Sequence, residues 1–294
     1  MDLITSRENR WAKAFRSALQ GTGPGEGEFI GVEGPKTVAE ALRAGIEAEA
    51  LLLSESSAPE METMAREAGL PNTRVLRTTD RLFATISATD APQGVAALCR
   101  QPKWQFEDVM RGRPDRDGLL AGEAPLVVVL AGIQDPGNVG TIVRSAEAFG
   151  ATGAVAVRGS ADPWSPKAVR ASAGSALRLP VLRGIPAPVL LAQLRMARIA
   201  IVATSARPNR AERGRKVVLE GGAGPLAIWI GGEGAGLPAG IEREADAVIA
   251  VPMAEAVESL NAGVAASVVL YEIARERRLA GRQPGNLRGT VSSH

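Results

Sequence analysis

Asp135-Pro136-Gly137-Asn138-Val139-Gly140-Thr141-Ile142-Val143-Arg144 is the stretch on which the fold of this 294-residue chain turns. It follows the apolar run 126–130, and it opens a helical pattern with Ile142, Val143, Ala146 and Phe149 on one face. Gly150 supplies the stop. Strand, Pro-Gly turn, helix is the order these residues predict. Two later stretches repeat it. Gly231-Gly232-Glu233-Gly234-Ala235-Gly236 follows the apolar run 226–230, and Glu258-Ser259-Leu260-Asn261 follows 248–251 and opens a helix of small residues. Loops that end strands and carry amides, a glutamate, an arginine and a serine have the makeup of a nucleotide-like pocket at the carboxyl ends of a parallel sheet.

Further runs at 154–157 and 199–203 are also continuous Val, Ile and Ala rather than alternating. That pattern belongs to strands covered on both faces, so residues 123–294 are expected to form a parallel α/β domain. Residues 1–100 alternate strand and helix signals in a smaller α/β unit: strands at 29–32, 51–53, 74–76 and 94–99, with helices at 35–42, 59–68 and 80–86. Gly45 is placed to end the first of these helices. Residues 101–122, with Pro102, Gly112, Pro114 and Gly118 among charged residues, read as a linker.

Composition removes several classes of function. The chain carries one histidine, His294, and one cysteine, Cys99. It therefore lacks the commonest general base and metal ligand at any internal position, and no metal site is expected. Cys99 ends an apolar run and is expected to be a buried structural thiol, with no disulfide possible within the chain. The first 19 residues are too polar for a signal peptide, and apolar runs stop short of the ~18 residues a membrane span needs. A cytoplasmic protein is expected. Net charge is +2, yet cations cluster at Arg7, Arg10, Lys13 and Arg16, and again at Arg207, Arg210, Arg213, Arg215 and Lys216. Such clusters suit a phosphate backbone, or else are ordinary solvated surface.

Each motif has a plainer reading when taken alone. Asn138 and Ser259 are placed as helix caps, each worth ~1 kcal/mol. Gly231–Gly236 contains Gly-x-Gly-x-x-Gly, but too little chain follows it to build a dinucleotide-binding half, and Pro238 interrupts the helix that half requires. A glycine loop passing close to a ligand, with Glu233 projecting from it, fits better. Arg144 lies early on an otherwise small and apolar helix, where a guanidinium can grip an RNA phosphate or ribose.

Taken together, Asn-x-Gly-x-x-x-Arg, Gly-x-Glu-Gly-x-Gly and Glu-Ser-Leu-Asn resemble the three motifs of the SpoU/TrmH family, the SPOUT-superfamily RNA ribose 2′-O-methyltransferases. Asp162 to Lys167 and Arg170 to Gly174 resemble the family's segment after its second strand. Residues 29–45 and 92–95 resemble its N-terminal L30e-like substrate-binding domain. The resemblance implies a trefoil-knotted C-terminal domain, a homodimer formed through it, and S-adenosylmethionine as cofactor. By motif match, Thr204, Gly231, Val251 and Leu260 would contact the cofactor. Asn138, Arg144, Glu233, Ser259 and Asn261 would form the active-site polar set. The implied reaction is attack of a ribose 2′-hydroxyl on the cofactor's methyl group, in ribosomal RNA (23S) first and transfer RNA second. Because an arginine side chain holds its proton tightly, Arg144 is better suited to stabilising the developing alkoxide than to acting as a base. An antibiotic-resistance enzyme on ribosomal RNA shares these motifs. A non-catalytic RNA-binding protein on the same scaffold is the alternative from another class, and a dinucleotide oxidoreductase a distant third. The sequence departs from the family at Ala262-Gly263-Val264, where many members carry Val-Ser-Val, and at Gly232; neither change removes a functional group.

Overall fold

The apolar runs become strands of two separate sheets. The computed structural model describes residues 2–21, 29–57, 73–111, 124–205, 224–234, 236–254 and 259–281. Contacts divide the chain into two units, residues 1–103 with 162–178, and residues 104–161 with 179–294.

The first unit runs β1 (Asp2–Ile4), α1 (Arg10–Gln20), β2 (Phe29–Glu33), α2 (Pro35–Arg43), β3 (Ala48–Ser54), β4 (Arg74–Thr78), α3 (Asp80–Ile86) and β5 (Val95–Arg100). Its sheet has the order β1-β4-β3-β5-β2. The pairs β1–β4 and β3–β4 are parallel, and β5 runs antiparallel to both β3 and β2. Helix α1 starts where the Asn9 side chain accepts the Trp11 N–H at 2.9 Å, and it ends at Gly21 in the left-handed region. Ala12, Phe15 and Leu19 of α1 are buried in one cluster with Leu52, Leu76, Phe83 and Leu98. Gly31 of β2 allows a backbone-to-backbone approach, because a Cβ there would lie 2.7 Å from the Ala18 carbonyl carbon. Burial pushes the Cys99 thiol up to about 12, so it stays protonated. Helix α1 and strand β1 were not expected from the sequence, because the polar residues of 1–20 mask a narrow apolar stripe. The helix expected at 59–68 and the cationic cluster 207–216 lie outside the described residues, as does His294.

The chain continues through α4 (Phe106–Arg111), β6 (Leu126–Ala131), α5 (Pro136–Ala148), β7 (Gly153–Val157), α6 (Pro166–Ala171), α7 (Ser175–Arg178), β8 (Val181–Ile185), α8 (Ala187–Met196), β9 (Ala200–Thr204), β10 (Leu226–Gly231), α9 (Ile241–Glu244), β11 (Ala247–Ile249) and α10 (Ala262–Gly281). Helices α6 and α7 differ from a division by sequence order, because they pack with the first unit. There α6 lies against β2 and α1, and the Arg178 guanidinium reaches Glu40 of α2 at 3.4 Å. Within the expected linker, residues 106–111 instead form α4. It buries Val109 directly over Gly153, where a Cβ would stand 2.7 Å from Val109 Cγ1.

The second unit holds six strands in the order β11-β9-β10-β6-β7-β8, every pair parallel. Strand β6 is buried along its whole length and β10 along all but its last residue, as continuous apolar runs require. From β6 the chain steps outward to β7 and β8, returns to β9, and then inserts β10 between β9 and β6. That reversal of strand order opens a crevice at the carboxyl ends of β9, β10 and β6. The last strand is Ala247–Ile249, shorter than the expected 248–251, which leaves Val251 beyond its end. Among the described residues no helix is long and apolar enough to cross a membrane.

Helix α10 lies on α5, where Gly263 approaches Thr141 and the hydroxyls of Ser145 and Ser267 stand 2.7 Å apart. Its far end is held by Arg277, which is 7% exposed. The guanidinium donates to the carbonyls of Ala124 at 2.7 Å, Pro125 at 3.2 Å and Gly224 at 2.7 Å, beside the amino ends of β6 and β10. Arg277→Ala removes a donor from three half-buried carbonyls, of which, among the described residues, Pro125 alone keeps a backbone donor, the Leu226 N–H. It is expected to destabilise the protein by about 2–4 kcal/mol, measured as a fall in the urea midpoint at unchanged slope.

Candidate functional site

Strand β10 ends at Gly231, in register with Ala131 of β6, and the chain must turn at once. It does so in a loop closed by two backbone hydrogen bonds between Gly232 and Gly236, at 2.9 and 3.1 Å. A Cβ on Gly231 would lie 2.5 Å from the Gly236 carbonyl carbon, and one on Gly232 would lie 2.5 Å from the Gly132 oxygen. The glycines here are a packing requirement: the loop folds back on itself and lies against the turn after β6. Glu233 sits at its tip.

One carboxylate oxygen of Glu233, Oε1, accepts three hydrogen bonds. Asn138 Nδ2 donates at 2.8 Å, Asn261 Nδ2 at 2.8 Å, and the Ala262 amide at 3.1 Å. Asn261 Nδ2 also donates to Asn138 Oδ1 at 2.9 Å, which closes a ring of three side chains from three loops. The cap positions differ from the simple expectation. Asp135 precedes α5 with Pro136 in its first turn, so Asn138 is already helical and its amide is free to face Glu233. On α10 the cap is Asn261, whose Oδ1 accepts the Gly263 and Val264 amides at 3.0 and 3.2 Å. Ser259 precedes the cap.

Beside this ring the carboxyl ends of β9, β10 and β11 and the start of α10 enclose a cleft of about 410 Å³. Thr204, Gly231, Val251 and Leu260 all line it, as do Glu233 and Ser259. Asn138 and Asn261 stand next to it through their bonds to Glu233. Arg144 does not line it. It is exposed on α5, without a hydrogen-bond or ion-pair partner among the described residues, about 120° around the helix from Asn138. Thr204 is fixed by its hydroxyl, which donates to the Trp229 carbonyl at 2.9 Å. Sequence reasoning missed Ser205, Leu237, Glu242, Ile249 and Met253, which also line the cleft. Ser205 follows β9 and Ile249 ends β11, and a position at a strand's carboxyl end is a signal that was available. Glu242 belongs to a four-residue helix whose start is set only by the left-handed Gly240, and no motif marks it.

The cleft offers an apolar floor of Ile230, Leu260, Ala266 and Val269, main-chain groups of the glycine loop, and two carboxylates. Among the described residues no group of three or more His, Cys, Asp or Glu is placed to hold a metal ion. The arrangement suits an organic ligand held by backbone and apolar contact.

Residues 125–271 match the family described as SpoU rRNA Methylase, and residues 25–97 match the MRM3-like substrate binding domain. An uncharacterized tRNA/rRNA methyltransferase of Mycolicibacterium vanbaalenii is 36% identical over 92% of this chain and 84% of its own length. An AdoMet-bound rRNA methyltransferase from Sinorhizobium meliloti is 30% identical, with a TM-score of 0.78 over 93% of this chain and 97% of that one. An RNA 2′-O ribose methyltransferase is 29% identical, with a TM-score of 0.73 over 94% and 99%.

Glu233→Ala leaves the Asn138 and Asn261 amides and the Ala262 N–H without their shared acceptor. Because the ring is open to water, a loss of about 1–2 kcal/mol is expected in denaturant unfolding, with Glu233→Gln losing less.

Proposed function

The chain belongs to the SpoU rRNA Methylase family, and from that premise we propose that it transfers a methyl group from S-adenosylmethionine to a ribose 2′-hydroxyl in ribosomal RNA, in the cytoplasm. The observation that carries this reading is the cleft where the three motif loops meet, with the Glu233 ring at its edge. The residues present fit S-adenosylmethionine. Gly231 and Gly232 are packed too tightly for side chains and so present backbone at the cleft, and the rest of the lining combines apolar groups with the hydroxyls of Thr204, Ser205 and Ser259 and the carboxylates of Glu233 and Glu242, suited to a nucleoside bearing a cationic sulfonium. When bound there, the group supplies an electrophilic methyl whose leaving group is neutral and needs no acid.

Thr204, Gly231, Val251 and Leu260 would hold the cofactor. The ring of Asn138, Glu233 and Asn261 fixes the motif loops relative to one another, so the sugar oxygen meets a preset geometry; alignment of this kind supplies much of the rate of a displacement. Ser259, exposed before α10, would orient the ribose. Arg144 is assigned the alkoxide that develops as the hydroxyl loses its proton. The charge is in hand, because no carboxylate among the described residues pairs with it. It acts from outside the cleft lining, so RNA or a second subunit must bring sugar and guanidinium together.

The second subunit belongs to the same proposal. Val264, Val268 and Tyr271 repeat at helical spacing along α10 and are 49%, 43% and 54% exposed, with Phe149 edge-on to Tyr271 at 5.9 Å. An apolar stripe of this kind on a helix end-to-end with the site supports a homodimer through the second unit. The inserted strand β10, flanked by chain that runs out to β11 and back as α10, is consistent with the family's knotted crossing.

The test is methyl-labelled S-adenosylmethionine with purified chain and undermethylated ribosomal RNA. Label in alkali-resistant dinucleotides is expected; label on bases, label in transfer RNA alone, or no transfer despite cofactor binding would overturn the assignment. Arg144→Ala is expected to cut transfer by about 10²–10³-fold while cofactor Kd by calorimetry stays within about twofold. Val268→Asp with Tyr271→Asp is expected to give a monomer in sedimentation velocity.

A further inference from the structure

Helix α1 breaks a local rule. The amino end of a helix carries partial positive charge and favours acidic residues, yet the first turn of α1 has none and begins with Arg10, followed by Lys13 and Arg16. Arg7 stands just before it. Charges that oppose the helix dipole, on a helix that otherwise caps and packs well, mark a place where function outweighs local stability.

Successive residues of α1 turn by about 100°, and Ala12, Phe15 and Leu19 face the core. Arg16, Lys13, Arg10 and Trp11 therefore follow one another around the outer surface. Arg74 of β4 extends the band: its guanidinium carbon lies 5.7 Å from the Trp11 ring centroid, and that of Arg10 lies 5.3 Å from it. Trp11 thus holds two guanidiniums in place. Lys13 is paired with Glu8 at 2.6 Å and Arg74 with Asp2 at 3.0 Å. Arg7, Arg10 and Arg16 have no ion-pair partner among the described residues. Arg16 is half-buried at the edge of the band, with its Nη2 buried and donating to nothing.

We propose that this band, Arg16–Lys13–Arg10–Trp11–Arg74, is a docking surface for an RNA phosphodiester backbone. The identity of the polyanion rests on the methyltransferase reading above. The band lies mostly on α1, ahead of the matched substrate-binding region 25–97, so it enlarges that region toward the amino end. The pattern disfavours a lipid surface, because a membrane-bound helix exposes its apolar face and α1 turns its own inward.

The test uses the full chain and a fluorescein-labelled RNA stem-loop, with Kd measured from about 50 to 300 mM salt. Each lost phosphate contact lowers the slope of log K against log salt by about 0.7–0.9. Arg10→Ala with Arg16→Ala is expected to weaken binding at least tenfold at low salt and to flatten the slope by roughly 1.4–1.8. Trp11→Ala is expected to weaken it about two- to fivefold, with Trp11→Phe restoring affinity. Should the double variant unfold, Arg7→Glu, at an exposed position before the helix, is expected to weaken binding and flatten the slope. Unchanged Kd and slope in folded variants, or loss of binding to phosphatidylserine vesicles with RNA binding intact, would overturn the proposal. Calorimetry with S-adenosylmethionine separates the two claims: a wild-type chain that fails to bind it defeats the enzymatic reading, while the salt slope still decides this one.

Discussion

A single carboxylate oxygen organises the second unit's loops. Glu233 Oε1 is the common acceptor for groups from α5 and from the start of α10, and it projects from the loop that ends β10. Three segments separated by some 120 residues of chain are thereby tied at one point. Remove the acceptor and each loop keeps its own turn, but the first and third are then tied only by the Asn138–Asn261 bond and the packing of α10 on α5. The strength of the tie comes from charge: an ionised acceptor makes shorter and stronger hydrogen bonds than a neutral one. Asn138 and Asn261 suit the task because an amide donates and accepts at once, and so closes the ring without a second charge.

That ring works only because the backbone beneath it is dense. β10 has neighbours on both sides, and its final glycines let the following loop fold onto the strand end and against the turn after β6. Helix α10 then reaches from the ring, along α5, to the opposite end of the sheet, where Arg277 gathers three carbonyls. One helix is therefore fixed at its amino end by the site and at its carboxyl end by the strands' beginnings. The cleft lies along its first turns, so the rigidity of the helix passes directly to the cleft wall.

Much of this was legible in the sequence, and the failures have physical reasons. Continuous apolar runs announced β6, β7, β9 and β10 because strands covered on both faces carry no polar residue to confuse the pattern. The motif loops were legible because each follows such a run. Helix α1 was not, since its buried stripe is only Ala12, Phe15 and Leu19, set among Arg10, Lys13, Arg16, Ser17 and Gln20. Strand β8, with Arg183 and Gly184 inside it, carries too weak an apolar signal. Asn138 and Ser259 both looked like caps; the actual caps, Asp135 and Asn261, are decided by where the helix begins, a matter of one turn that spacing alone does not resolve. Nor does sequence order foretell that α6 packs with α1 and β2 and that Arg178 of α7 reaches Glu40, because that depends on tertiary contacts absent from any local pattern.

That last feature has a consequence for synthesis on the ribosome. The first unit is assembled from two lengths of chain, and its second length, 162–178, is made only after β6, α5 and β7. A nascent chain holding residues 1–103 alone has its five-strand sheet but lacks α6, which covers part of β2 and α1. Maturation of the amino-terminal unit must therefore wait for polypeptide that lies beyond the first strands of its neighbour, so the two halves cannot ripen strictly in the order they emerge.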